Sequence, residues 1–190
     1  MLICTKMKQV FAEKVEIPEG VVCTFEGNAL KCKKGPKEVS KKMDATGVDV
    51  KVDGNVITFS AKAGNKNQFK TINSFAICTK NMFNGLDKEY VYNLEACNVH
   101  FPMSLKIEGS RLKIDNFLGE KVPRYSDILP NVKVDIKGVI ITISSFDKEA
   151  AGQTAANMEK ATKITKRDRR VFQDGIFITE KPSRETGGKK

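Results

Sequence analysis

Six cations and a single anion fall within eleven residues of this chain: Lys160, Lys163, Lys166, Arg167, Arg169 and Arg170 against Asp168. Cations packed so closely repel one another unless an anion lies nearby. Arginine's planar fork fits phosphate oxygens and stacks on bases. Three of the chain's six arginines stand here, while the first 90 residues contain none. The chemistry on offer is the binding of a phosphate backbone, RNA above all; a solvated helix end or a nuclear import signal has the same composition. A second basic element is the C-terminal run Lys181-Pro182-Ser183-Arg184-Glu185-Thr186-Gly187-Gly188-Lys189-Lys190. Its Pro and paired Gly predict a segment that orders only on RNA, or a solubilising terminus. Two weaker clusters lie earlier, Lys31-Cys32-Lys33-Lys34-Gly35-Pro36-Lys37 and the trio Lys62, Lys66 and Lys70. The trio surrounds a helix start where Gly64 would let a phosphate approach; both clusters equally suit the protection of an edge strand.

Catalytic chemistry finds no constellation. His100 is the single histidine and there is no Trp, so metal pairs and Cys-His or Ser-His-Asp arrangements cannot be built around imidazole. His100, between Val99 and Phe101, reads as a packed or edge residue of a strand. The five cysteines (Cys4, Cys23, Cys32, Cys78, Cys97) are scattered and form no Cys-x-x-Cys pair, which encodes neither a disulfide framework nor a zinc knuckle. Neither a cofactor nor a metal is expected. Over 190 residues, 33 Lys+Arg face 23 Asp+Glu, a net charge of +10, which calls for a polyanionic partner. No run approaches the roughly 20 apolar residues of a bilayer helix, and Met1–Lys6 is too short for a signal peptide. A cytosolic or nuclear protein is expected, with no membrane partner.

The elements that must hold the basic stretch come from an internal repeat. Val52-Asp53-Gly54-Asn55-Val56-Ile57-Thr58-Phe59-Ser60 aligns with Ile136-Lys137-Gly138-Val139-Ile140-Ile141-Thr142-Ile143-Ser144, 84 residues on. The same spacing relates Ile17-Pro18 to Phe101-Pro102, and Gly35 to Gly119. Phe25–Lys31 matches Ile107–Lys113 at a spacing of 82. In the first copy, Glu26-Gly27-Asn28 and Asp53-Gly54 are hairpin turns between alternating strands. Beyond Asn65 the period becomes helical: Phe69, Ile72, Ala76 and Phe83 share a face, with Gly85 placed to stop the helix. Tyr90–Phe101 reads as a strand opening the second copy. There a helix from about Lys148 to Lys163 carries Ala151, Ala155, Met158 and Thr162 on one face, and the basic stretch is inserted before a last strand, Ile176–Thr179. The expected fold is α+β: two tandem repeated domains, each a small antiparallel β-sheet with one helix packed on a face. The expected boundaries are an N-terminal extension (1–10), a first repeat (11–88), a second repeat that is the main RNA-binding domain (89–180) and a basic flexible tail (181–190).

With these residues in place the chain resembles a known family, the large-subunit ribosomal protein L-six family, called L-nine in eukaryotic ribosomes. The likeness runs from Val15 to about Lys181. It is sharpest at Asn116-Phe117-Leu118-Gly119-Glu120-Lys121, at Ala151-Gly152-Gln153-Thr154-Ala155-Ala156-Asn157-Met158-Glu159 and at Arg170-Val171-Phe172-Gln173-Asp174-Gly175-Ile176-Phe177. Ile17-Pro18-Glu19-Gly20, Asn81-Met82 with Gly85, and His100-Phe101-Pro102 agree with it. These marks fit the archaeal and eukaryotic branch; the bacterial branch's glycine- and lysine-rich signature is absent.

The resemblance implies two α+β domains and a non-enzymatic structural constituent of the large ribosomal subunit that binds rRNA near the sarcin–ricin loop and the stalk base, where translational GTPases act. It implies that Gly152–Arg170 and the tail face RNA, so that Gln153, Asn157, Lys160, Lys163, Lys166, Arg167, Arg169, Arg170, Lys181, Arg184, Lys189 and Lys190 are the expected contacts. It implies that Phe172 and the Gly175 turn close the second domain. The expected partners are large-subunit rRNA, other large-subunit ribosomal proteins and nearby translational GTPases, with no homo-oligomer. The expected place is the cytoplasmic ribosome, after nucleolar assembly in a eukaryote. Two other classes share the composition: a non-ribosomal RNA-binding adaptor of the same fold, and a protein-interaction module carrying an import signal.

Overall fold

The structure is a computed structural model that describes residues 9–44 and 46–182. The chain forms two compact units that divide between Lys88 and Glu89. Residues 1–8 of the expected N-terminal extension lie outside the described residues, and the first strand already begins at Gln9.

The first unit runs β1 (Gln9–Glu16), β2 (Val22–Glu26), β3 (Ala29–Lys34), β4 (Lys37–Lys42), β5 (Asp49–Asp53), β6 (Val56–Gly64) and α1 (Lys66–Asp87). All strand pairs are antiparallel, in two three-stranded sheets of order β1-β6-β5 and β2-β3-β4. Helix α1 packs on both sheets, burying Ile72, Ala76, Thr79, Met82, Phe83 and Leu86 against Leu30, Val39, Ile57 and Phe59. At its start Gln68 accepts the Asn65 N–H at 2.8 Å, which satisfies one donor of the first turn. Gly85 does not stop the helix. It lies buried within the last turn, where packing outweighs its propensity cost of about 1 kcal/mol; the chain leaves the helix only at Lys88, whose extended backbone ends the run. Phe69, expected in the core, is 43% exposed, its ring packed on Phe11 at 5.0 Å.

The second unit repeats this order: β7 (Tyr90–Cys97), β8 (Ser104–Glu108), β9 (Arg111–Asp115), a short 3-10 turn (Phe117–Gly119), β10 (Arg124–Asp127), β11 (Lys133–Lys137), β12 (Ile140–Ser145), α2 (Lys148–Ala161) and β13 (Gly175–Glu180). Its antiparallel sheets have the orders β10-β9-β8 and β11-β12-β7-β13. The repeat holds in three dimensions: the pair Asp49↔Ser60 recurs as Lys133↔Ser144, and Val22↔Lys33 recurs as Ser104↔Asp115. The fold class is α+β as expected, with the strands of each unit shared between two small sheets. Strand β7 ends at Cys97, so His100 sits in a bend rather than in a strand.

Helix α2 begins where the Asp147 carboxylate accepts the Glu149 N–H at 2.9 Å, with Glu149 in its first turn and Lys160 in its last, both favourable to the helix dipole. Ala151, Ala155, Met158 and Thr162 are buried, as their spacing requires. They meet Leu94, Ile141, Ile143 and Ile176 from the larger sheet and Leu112, Ile114 and Phe117 beside it. Gly152 faces Tyr92: a Cβ there would lie 3.0 Å from the Tyr92 hydroxyl. Glycine in a helix interior costs about 1 kcal/mol relative to alanine, and close packing on Tyr92 accounts for it. Accordingly, Gly152→Ala introduced into Tyr92→Phe should raise stability by up to about 1 kcal/mol and should gain less, or lose, in the unaltered chain. All three tyrosines (Tyr90, Tyr92, Tyr125) belong to the second unit and there is no Trp, so urea unfolding followed by tyrosine fluorescence reads that unit alone. Equal effects in the two backgrounds would rule out the hydroxyl as the obstacle.

Candidate nucleic-acid interface

The basic stretch forms the connection from α2 to β13, and its two ends are fixed separately. At the first end, the Thr162 hydroxyl donates back to the carbonyls of Met158 and Glu159 and accepts the Ile176 N–H at 2.9 Å. This buried oxygen joins the end of α2 to β13. Gly175 is the residue that fits there: its φ is +150°, and a Cβ would lie 3.3 Å from the Phe177 ring. Between the ends, Asp168 folds the chain. Its carboxylate accepts the Arg170 N–H at 2.9 Å, and its carbonyl accepts the N–H groups of Val171 and Phe172 at 3.2 and 3.0 Å. The one anion of the stretch thus shapes a turn of the Asx kind, on which Arg169 and Arg170 stand exposed.

At the other end lies Asp174, a carboxylate with 1% of its surface exposed. One oxygen accepts the backbone N–H groups of Val99 and His100 at 2.7 and 2.8 Å, and the other meets His100 Nδ1 at 2.6 Å. Burial disfavours the charge, but the bonds from the His100 backbone and ring and from Val99 outweigh it and hold the carboxyl below its usual range. The His100 ring stacks on Phe172 at 4.9 Å, and the Arg167 guanidinium lies 4.8 Å from the centre of the same Phe172 ring. His100, solitary by sequence, is therefore a structural partner of the loop. The signal for it was spread across the two ends of the unit, in His100-Phe101-Pro102 and in the run containing Asp174.

A third anchor is Arg124, at the start of β10. It forms a two-pronged ion pair with Glu120 at 2.8 and 2.6 Å, donates to the Ala161 carbonyl at 2.9 Å and covers the buried Phe117 ring at 4.3 Å. The hydrogen bond to Arg124, opposed by burial and aided by the charges of Arg124 and Arg167, lowers the Glu120 carboxyl. Arg124 thereby ties the end of α2 to the turn after β9, whose backbone is left-handed at Asn116, Leu118 and Gly119. Bidentate pairing occupies its fork, so this arginine positions the loop rather than reaching out from it.

Lys160, Lys163, Lys166, Arg167, Arg169, Arg170 and Lys181 are all exposed, and none is ion-paired among the described residues. Lys160, Lys163 and Arg169 line an open groove of about 690 Å³ with Phe172, Gln173 and Asp174. Gln153 and Asn157 stand on the α2 stripe that leads to Lys160, bonded to each other at 2.8 Å, with Asn157 also reaching the Asp127 carbonyl at 3.4 Å. Arg184, Lys189 and Lys190 lie outside the described residues, as does the side chain of Lys62. Three lysines of the first unit contrast with the loop: Lys31, Lys33 and Lys34 pair with Glu26, Glu38 and Asp87. Among the described residues no group of three or more His, Cys, Asp and Glu could hold a metal ion, and no helix is long and apolar enough to cross a membrane.

Residues 101–175, a span that contains Arg124, the basic loop and Asp174, match the family model for ribosomal protein L6. The chain is 41% identical over 174 residues to the large ribosomal subunit protein uL6 of Saccharolobus solfataricus, covering 90% of this chain and 96% of that protein. It is 38% identical over 174 residues to the same protein of Methanocella arvoryzae, covering 90% and 98%. The uL6 protein of Haloarcula marismortui is 38% identical over 171 residues, with 90% and 96% covered.

Replacing Asp174 by Ala strands two backbone donors and should destabilise the second unit by about 2–4 kcal/mol; Asp174→Asn, which keeps an acceptor oxygen, should lose less. The folded carboxyl titrates below the unfolded one, so its contribution is full above roughly pH 4 and fades as the pH falls through the folded value. The stability gap between wild type and Asp174→Ala in urea unfolding should therefore narrow on acidification. A gap that widened would contradict the assignment.

Proposed function

The chain belongs to the large ribosomal subunit protein uL6 family, and from that premise we propose that its second unit anchors it in the large subunit by gripping rRNA with the loop between α2 and β13. It is a non-enzymatic ribosomal protein. The observation that carries the proposal is the row of exposed cations on that loop with no acidic partner, in a molecule whose first-unit lysines Lys31, Lys33 and Lys34 are paired internally. Lys160, Lys163, Lys166, Arg167, Arg169 and Arg170 are the principal phosphate contacts. Gln153 and Asn157 extend the surface along α2, and Lys181, Arg184, Lys189 and Lys190 extend it into the tail. The sequence holds no aromatic run that could stack bases in line, so recognition proceeds by helix shape and backbone. The site on the subunit is the region of the sarcin–ricin loop and the stalk base, with other large-subunit proteins and translational GTPases as neighbours. The working compartment is the cytoplasm.

Arg167 shares its guanidinium face with Phe172, so Arg169 and Arg170 give the cleaner test. Arg169→Gln/Arg170→Gln should reduce the slope of log K against log salt for a sarcin–ricin-type RNA by about 2, at about 0.9 per lost phosphate contact. Charge reversal in Arg167→Glu/Arg170→Glu should lower incorporation into large subunits on sucrose gradients while circular dichroism stays that of the folded chain. An unchanged slope together with normal incorporation would remove these residues from the interface.

A further inference from the structure

The hairpin of β2 and β3 contains a pair of side chains that RNA binding does not use. Its turn is Gly27-Asn28, both left-handed at φ 55° and 61°, which is the two-residue turn that suits strand twist. Glu26↔Ala29 is then the hydrogen-bonded closing pair, and successive pairs alternate in type. Cys23↔Cys32 falls on a non-hydrogen-bonded site. There facing Cα atoms approach to about 4.5 Å, within the range that a disulfide spans. The two Sγ atoms are 2.9 Å apart. Cys32 is fully buried, while Cys23 is half-buried on β2, an edge strand of its sheet. The internal repeat supplies an independent comparison. The same cross-strand site in the second unit is Leu105↔Ile114, so the fold asks only for an apolar pair, and the first unit has a thiol at both partners of one pair.

We propose that Cys23 and Cys32 form a reversible oxidation site that a peroxide closes to a cross-strand disulfide. Cys23 is the attacking sulfur and Cys32 the resolving one. The hydrogen bond from the Cys32 thiol, against the opposing effect of burial, lowers Cys23 below the ordinary thiol range. The same bond, burial and the neighbouring charge push Cys32 up. Thiolate is the reactive form, and the edge position gives peroxide access to Cys23. The Cys23 sulfur attacks a peroxide oxygen, the O–O bond breaks, and Cys23 becomes a sulfenic acid as hydroxide departs. The Cys32 sulfur then attacks the Cys23 sulfur; the S–S bond forms, the S–O bond breaks, and the oxygen leaves as water with the Cys32 proton. Hydroxide from the first step takes up the proton that Cys23 had released. Two thiols thus give up two electrons, and one peroxide becomes two waters. The product staples the edge strand β2 to β3, and a dithiol reverses it by exchange.

The test uses the full-length reduced chain and hydrogen peroxide, with thiol titration and mass spectrometry. The wild type should lose two of its five thiols with a mass decrease of about 2 Da, yield a peptide joining Cys23 to Cys32, and regain both thiols with dithiothreitol. Cys32→Ser should stop at a sulfenic acid on Cys23 that dimedone captures, and Cys23→Ser should lose thiols at least about tenfold more slowly. Cys23→Leu/Cys32→Ile copies the pair of the second unit, keeps the packing and should not respond. Thiol loss in that double variant equal to wild type, or oxidation of wild-type Cys23 to a sulfinic acid with no joined peptide, would overturn the proposal. None of these readouts depends on RNA.

Discussion

Asp174 carries its charge inside the second unit, where losing water costs an unpaired carboxylate several kcal/mol. It is tolerated because three hydrogen bonds replace that water, and all three come from the bend after β7. The consequence reaches beyond the pair itself. The bend cannot open without stranding a buried anion, and the chain entering β13 cannot shift without stranding two backbone donors. Phe172 is then held against His100, and with it the last part of the basic loop. One interaction therefore fixes where the loop re-enters the fold, while Thr162 fixes where it leaves.

The two units show how one framework carries different surfaces. Their strand pairings repeat residue for residue across β5–β6 and β11–β12, yet in the first unit Lys31, Lys33 and Lys34 form local ion pairs, while the cations of the loop between α2 and β13 carry none among the described residues. Exposed pairs such as Lys33 with Glu38 contribute at most about 1 kcal/mol, so their effect here is on the field around the unit rather than on its stability. In the second unit Arg111 pairs with Asp127 and Arg124 is turned inward. The bonds of Arg124 to Glu120 and the end of α2 support the loop on which Arg167, Arg169 and Arg170 carry no ion pair among the described residues.

Much of this was legible in the sequence because it is local or periodic. The hairpin turns, the buried face of α2, the repeat and the density of charge between Lys160 and Arg170 are all patterns within short windows. What the sequence did not yield depends on partners far along the chain. His100 and Asp174 are 74 residues apart, and Arg124 reaches a carbonyl 37 residues away. No periodicity links such groups, so His100 looked solitary and the strand beginning at Tyr90 looked longer than it is. Gly85 departs from its expected role for a related reason: it is buried in the last turn of α1 together with Met82 and Leu86, so it continues the helix. In the sequence Asp168 reads only as charge, whereas its carboxylate and carbonyl build the turn that projects Arg169 and Arg170.

That turn explains how so concentrated a charge can be held ready. At physiological ionic strength repulsion between exposed cations is screened over about 8 Å, which leaves neighbouring residues in a short loop still repelling one another. A floppy loop would spread to relieve that repulsion and would have to be gathered again on binding, at about 0.5–1.5 kcal/mol for each side chain ordered. Here the gathering is done by groups outside the row of unpaired cations: the Thr162 hydroxyl and the internally paired Arg124 at one end, the Asp174 carboxylate at the other and the Asp168 turn between. The repulsion is balanced by interactions formed during folding, so the loop is already in place before any anion reaches it. The same logic accounts for where the acids sit, since Asp168 and Asp174 bond to backbone and histidine and leave the lysines and arginines unneutralised.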